Sequence, residues 1–178
     1  TLDFSSVTDG ILVRLWSNSF QNVHSGRTLQ LTSGWDVENL TGGSGNDTLI
    51  GSNKSNVLIG NGGNDNLIGH GGNDTMPGGL GNDRYLFYAS VGIEADTVTE
   101  LPGEGTDTLD FSGMTIGVIA RLWETSVQNV HAERTLQLNN GWDVENVSGG
   151  TGDDTLIGSN NSNTLTGNEG NDNIIGHG

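Results

Sequence analysis

Cysteine is absent from the chain, and cationic residues are nearly so: 6 Lys and Arg stand against 22 Asp and Glu, a net charge of −16. Without cysteine there are no disulfides and no thiolate metal sites, and the chain suits a secretion route that does not use oxidative folding. With so few cations it cannot neutralise a phosphate backbone, which excludes nucleic acid as a partner. An anionic membrane face is disfavoured for the same reason. No apolar run approaches the roughly 20 residues of a membrane span, so no membrane insertion is expected. Aromatic residues are 6% and hydrophobic residues 31%, too few for a thick core. What is abundant is glycine, 30 residues, and acid. Composition alone describes a disordered chain, and its acidity points to cations.

Residue order says otherwise. From Gly42 a nine-residue pattern, G-G-x-G-x-D-x-U-x with U apolar, runs without slippage: GGSGNDTLI, GSNKSNVLI, GNGGNDNLI, GHGGNDTMP and GGLGNDRYL over 42–86. It returns from Gly149 as GGTGDDTLI, GSNNSNTLT and GNEGNDNII. A fixed short period means stacked identical turns rather than a globular core. The first six residues of each nonapeptide read as a loop and the last three as a short strand. The eighth residue (Leu49, Leu58, Leu67, Met76, Tyr85) then points between two strand faces and forms a thin core.

A longer repeat encloses the shorter one. TLDFS at 1–5 recurs at 108–112, an offset of 107 (108 − 1) that holds to the end of the chain. The expected organisation is a strand-rich front without such loops (1–41), a nonapeptide array (42–86) and a junction (87–107) that ends in a partial loop of the motif, GEGTD. The front then recurs (108–148) and a truncated array follows (149–178). Counting back in nines from Leu49 gives Leu40, Leu31, Asn22, Val13 and Phe4, so the front reads as further turns of the same winding. The chain begins mid-pattern and reads as an excerpt of a long tandem array. No segment carries a capped apolar stripe of helical period, so helix is expected to be minor.

The spacing makes a metal site. Two nonapeptides make one turn, so loops on one edge lie 18 residues apart (65 − 47): Asp47 stacks on Asp65, Asp65 on Asp83, Asn56 on Asp74, and Asp154 on Asp172. Strand layers are about 4.8 Å apart. A cation midway sits about 2.4 Å from either layer, the calcium–oxygen range and longer than magnesium allows. All-oxygen donors likewise favour calcium over zinc or copper. Stacked aspartates repel, and the thin core cannot offset that together with chain entropy. An unfolded metal-free chain that folds on calcium is expected.

The nonapeptides resemble the RTX, or haemolysin-type calcium-binding, repeats of secreted bacterial proteins. GNDRYLF, EADTVTE and GEGTDTLDFSG further resemble the flanking repeats of very large multi-repeat RTX proteins. The resemblance implies an all-β, right-handed parallel β-roll or β-solenoid with several calcium ions between stacked turns. It implies calcium ligation by the position-six carboxylates Asp47, Asp65, Asp74, Asp83, Asp154 and Asp172, and more weakly by Asp107. Loop carbonyls join them, among them those of Gly42, Ser44, Gly45, Gly60, Gly62 and Gly63. Asn56 and Asn163 replace the expected Asp, so those half-sites are expected to be weak or empty. The resemblance also implies export unfolded through a type I system and a place outside the cell or on its surface.

The remaining residues read as structural. His24 and His131 lack partners at metal-ligand spacing, and no nucleophile motif or phosphate loop occurs, so no enzyme is expected. Trp16, Trp35, Trp123 and Trp142 read as caps or packing of metal-free turns rather than a glycan-stacking face. Pro77 removes a ladder donor and marks a bend. Open strand edges at the ends of such a winding favour end-to-end association of repeats. The expected function is a calcium-rigidified segment of an adhesin, stalk or filament; the alternative is an accessory module of an extracellular enzyme.

Overall fold

The computed structural model describes residues 1–33, 36–89, 92–140 and 143–177. Trp35 and Trp142 lie outside them. In chain order β1 (Leu2–Asp3) and β2 (Leu12–Arg14) are followed by β3 (Gln21–His24), β4 (Arg27–Leu29) and β5 (Asn39–Thr41). The first nonapeptide array supplies β6 (Thr48–Ile50), β7 (Val57–Ile59), β9 (Asn66–Ile68) and β10 (Thr75–Pro77). Two-residue strands β8 (Asn61–Gly62) and β11 (Gly79–Leu80) pair within its loops. β12 (Arg84–Tyr88), β13 (Glu94–Thr99) and β14 (Thr108–Gly113) carry the chain into the second unit. There follow β15 (Ile119–Arg121), β16 (Gln128–His131), β17 (Arg134–Asn139) and β18 (Asn146–Ser148), then β19 (Thr155–Ile157), β20 (Thr164–Thr166) and β21 (Asn173–Ile175).

The fold is all-β, without an α-helix among the described residues. The chain passes alternately between two sheets of parallel strands. One has the order β1-β5-β7-β10-β13-β17-β16, the other β2-β6-β9-β12-β14-β18-β20, and β15-β19-β21 form a third. Among the described residues only two pairs, β3–β4 and β16–β17, are antiparallel. The reason lies in the x-U-x triplets. The three-residue strands of the first array turn their central apolar side chain inward, as the buried centres of Thr48–Ile50, Val57–Ile59 and Asn66–Ile68 show. Leu40, Leu49, Leu58, Leu67 and Leu109 are wholly buried, with Met76 and Tyr85 beside them.

Two sequence expectations are refined. Leu40, Leu31 and Val13 are buried as the nine-residue register requires, but Asn22 is exposed in the hairpin β3–β4 rather than in a further turn. The physical reason is local: Gly26 at φ 75° forms a tight reversal between QNVH and RTL. The junction keeps the winding, since β13 pairs with β10 in register and Pro77 remains opposite Thr99. Its loops are longer, separating column residues by 22 and 24 instead of 18.

The two units do not face the same way. β1, β5 and β7 lie in the first sheet, whereas their counterparts β14, β18 and β20 lie in the second. From β1 to β14 the chain crosses between sheets nine times (β1-β2-β5-β6-β7-β9-β10-β12-β13-β14). An odd number of crossings per unit exchanges the faces.

Candidate metal centres at the loop edges

Each position-six residue ends a loop and begins a strand, and the parallel ladder stacks these residues in columns. On one edge the Asp47 N–H donates to Asp65 Oδ1 at 2.7 Å, and Asp65 N–H to Asp83 Oδ1 at 2.8 Å. Asp83 N–H then donates to Asp107 Oδ1 at 2.8 Å, and Asp107 N–H to Glu145 Oε2 at 2.8 Å. On the other edge Asn56 N–H donates to Asp74 Oδ1 at 2.7 Å, and Asp74 N–H to Asp96 Oδ1 at 3.0 Å. In the second array Asp154 N–H donates to Asp172 Oδ1 at 2.9 Å. The sequence-derived columns are all brought together, and Asp107 is a full member of its column. Asp96 and Glu145 were missed. Their signal was the triplet acid-x-apolar: Asp96-Thr97-Val98 is displaced from the nine-residue count by longer loops, whereas Glu145-Asn146-Val147 keeps it, nine residues before Asp154 (154 − 145), with Glu in place of the usual Asp.

The loops fall into two conformations. In one, the position-two N–H closes onto the position-six side chain: Gly43 onto Asp47 Oδ2 at 2.7 Å, Gly150 onto Asp154 Oδ2 at 2.7 Å. Ser52 does the same to Asn56 Oδ1 and Ser159 to Asn163 Oδ1, both at 2.6 Å. In the other, position two is left-handed, at Asn61 (φ 75°), His70 (67°), Gly79 (102°) and Asn168 (70°). Position four is left-handed there too, at Gly63, Gly72, Gly81 and Gly170. In three of these open loops Oδ2 of Asp65, Asp74 and Asp83 is buried and accepts no hydrogen bond. A buried oxygen of this kind is costly unless something cationic meets it.

The surroundings of that oxygen fit a hard cation. A Cβ added at Gly60 would run into Asp65 Oδ2 and the Gly78 carbonyl oxygen; one at Gly42 would meet Asp47 Oδ2 and the Gly60 carbonyl. A position-six carboxylate and a position-one carbonyl from 18 residues on thus converge on one small space that only glycine leaves open. This is an all-oxygen donor set of the kind calcium takes. The Gly42 carbonyl accepts instead from Asn61 Nδ2 at 2.8 Å. Gly62 and Gly63 tie their N–H groups to the carbonyls of Gly43 and Leu80, Ser44 ties its own to Val7, and Gly45 packs against Asp9 and Gly10.

Electrostatics favour a cation most where carboxylates crowd. Burial pushes the Asp65 carboxyl up to about 7 and that of Asp83 to about 6. Asp74 rises to about 8 through burial, with Asp96 and Glu94 adding to the rise and Arg134 opposing it. Asp83, Glu100 and Asp107, all buried, bring one ligand oxygen each within 4.8 Å of one another. Glu100 accepts the Tyr85 hydroxyl and is raised by burial to about 9; Asp107 is raised likewise to about 7. Neither Glu100 nor Tyr85 stood out as a site residue in the sequence: Tyr85 occupies the apolar eighth position of its nonapeptide, and Glu100 lies in the junction outside the repeat.

The Asn loops need no cation. Asn56 Oδ1 accepts from Ser52, and its Nδ2 donates to the Glu38 carbonyl at 3.2 Å. His24 lies 3.4 Å from Asp9, and His131 accepts the Glu133 N–H at 3.2 Å; neither gathers further ligands among the described residues. Trp16 and Trp123 are 47% and 39% exposed, so they are surface residues rather than core packing. Exposed His177 lies beside the Trp123 ring.

Parallel strands that alternate between sheets and carry columns of buried carboxylates at their edges define a calcium-binding β-roll repeat protein. The family model of the RTX calcium-binding nonapeptide repeat (4 copies) matches residues 32–53, 50–85 and 139–178, more than half of the chain. The chain belongs to that family. No curated protein matches it.

Proposed function

We propose that this chain is a structural segment of a large extracellular or cell-surface repeat protein, made rigid by calcium bound between successive turns. The observation that carries the reading is the buried, unpartnered Oδ2 of Asp65, Asp74 and Asp83. For Asp65 and Asp83 that oxygen lies beside a position-one glycine that a Cβ would fill, and the Gly60 cradle adds a carbonyl from the next turn. Asp65, Asp74, Asp83 and Asp107 hold ions, with Glu100 as an added ligand beside Asp83 and Asp107; calcium supplies the charge that lets these carboxylates ionise together. The Asn56 and Asn163 half-sites stay weak or empty. The winding is right-handed, as crossovers between parallel strands of one sheet are in about 98% of cases.

The segment is without catalysis of its own. The chain travels unfolded from a cytosol poor in calcium and folds outside, because binding free energy acts as folding free energy. Tandem 107-residue units favour a stalk, adhesin or filament over an accessory module of an extracellular enzyme, since repetition adds length rather than chemistry. Circular dichroism in chelator and then in excess calcium tests the proposal. The expected result is a coil spectrum that becomes β on adding calcium, with no such change for magnesium. A full β spectrum in chelator would sink it.

A further inference from the structure

The contact between the two units is built from residues that the first unit repeats on its opposite, uncovered side. At the internal junction β17 pairs with β13 over six residues, Glu94–Thr99 against Arg134–Asn139. Arg134 is 2% exposed; it forms ion pairs with Glu94 and Asp96, donates to the Tyr88 carbonyl at 3.0 Å, and lies over the Phe87 ring at 5.2 Å. Phe87 of the first unit stacks on Phe111 of the second, ring centroids 4.8 Å apart. Arg84 of the first unit pairs with buried Asp110 of the second. One unit thus offers an aromatic strand and a Glu-x-Asp strand, and the next offers an arginine hairpin, a phenylalanine and an aspartate.

The receiving residues recur 107 positions earlier: Asp3 for Asp110, Phe4 for Phe111, Arg27 for Arg134, Leu29 for Leu136. There they are less covered: Phe4 and Leu29 are only partly buried against the core, whereas Phe111 and Leu136 are wholly buried. Arg27 and Asp3 are exposed, whereas Arg134 and Asp110 are buried. β4 has three residues with the pattern exposed, exposed, half-buried, whereas β17 has six and is buried at alternate positions. Phe4, Val7, Val23, His24, Arg27, Thr28 and Leu29 line a cavity at the place where the second unit receives Phe87. One difference is local: Ser6 stands where Gly113 makes room for Tyr88.

We propose that this face, with Asp3, Phe4, Arg27 and Leu29 at its centre, docks a preceding copy of the same 107-residue unit, making consecutive units one continuous winding. The occupant is set by chemistry. Its Phe87 fills the apolar cavity, its Glu94 and Asp96 take the Arg27 guanidinium, and its Glu94–Thr99 strand extends β4. The inference rests on the tandem structural reading above.

The test compares the 178-residue chain with the same chain preceded by one more copy of residues 1–107, both in calcium. Amide exchange at residues 27–32 is expected to slow by at least about tenfold in the extended chain, to match residues 134–139. Arg27→Gln is expected to leave the melting temperature of the 178-residue chain unchanged and to lower that of the extended chain. Arg134→Gln should lower both, because a buried carboxylate pair loses its cation. A Phe87→Ser, Asp96→Asn substitution confined to the added copy should abolish the extra protection. Unchanged exchange at 27–32 with calcium-induced folding intact overturns the docking alone. Slowed exchange accompanied by dimerisation of the 178-residue chain, at a concentration where the extended chain stays monomeric, overturns the covalent-neighbour form. Failure of calcium to fold either chain overturns the structural reading and the docking together.

Discussion

At the scale of single residues, the carboxylate at position six carries the chemistry and the glycine at position one makes room for it. Gly60→Ala would place a methyl group between Asp65 Oδ2 and the Gly78 carbonyl. We expect it to lower the calcium stoichiometry by one site in isothermal titration, whereas Gly176→Ala, which meets nothing within 4 Å, should not. An unchanged stoichiometry for Gly60→Ala would remove that carbonyl–carboxylate pair from the site. Protons compete for the same oxygens. The folded pKa values of Asp65, Asp74, Asp83 and Asp107 lie at about 6 to 8, above the 3.8 ordinary for an aspartate. The folded state therefore binds more protons than the unfolded one through that window. Stability of the metal-free chain is greatest below the unfolded value and falls as pH rises through the folded ones. We expect more β signal in chelator near pH 5 than near pH 8, and the reverse trend for calcium affinity. A metal-free β signal that rises from pH 5 to pH 8 would contradict the shifts.

At the scale of the strand, three residues are too few to be stable alone, so each depends on the layers above and below. Leu67 is wholly buried between Leu49 and Tyr85 along its sheet. Leu67→Ala should cost about 2–5 kcal/mol through lost burial and the cavity left in a thin core. Because folding is coupled to metal, the loss should appear as a higher calcium midpoint in a dichroism titration. A midpoint equal to the parent's would mean the core contributes little beside the ions. The loops divide by their second residue. Where the chain is left-handed at Asn61, His70 and Gly79, the carboxylate stays open; where Gly43 or Ser52 turns its N–H inward, the loop closes on itself. His70→Val should therefore weaken calcium binding near Asp74, since a β-branched residue resists φ near 67°. Binding unchanged in that variant would show the left-handed residue to be incidental.

At the scale of the whole molecule, nine crossings per unit advance the winding by four and a half layers. At about 4.8 Å per layer this is about 22 Å for each added unit. Small-angle scattering on chains of increasing unit number should give that increment in calcium; a much larger one would indicate beads on a string rather than one winding. Much of this was legible in the sequence, because a strict period is a statement about contacts: residues 18 apart must stack if every turn is alike. The columns of Asp47, Asp65 and Asp83, the buried Leu49, Leu58 and Leu67, and the stacking of Asn56 on Asp74 follow from counting. Counting failed where loop length changed, at Asp96 and Asp107, since register then depends on strand pairing rather than on number.

The sequence by itself determined the local repeat: which residue is loop, which is strand, which carboxylate faces which, and that the donors are oxygens suited to calcium. Only the tertiary structure decided the rest. Two loops with the same Gly-Gly start differ, 42–47 closing on itself while 78–83 stays open, because neighbouring turns set the backbone angles. Identical stretches 107 residues apart come to lie on opposite faces because the unit holds an odd number of crossings. Arg27 and Arg134 share one sequence context, yet one is exposed and the other is enclosed by Glu94, Asp96 and Phe87. A side chain's burial is a property of what packs over it, and that is fixed by the neighbouring unit.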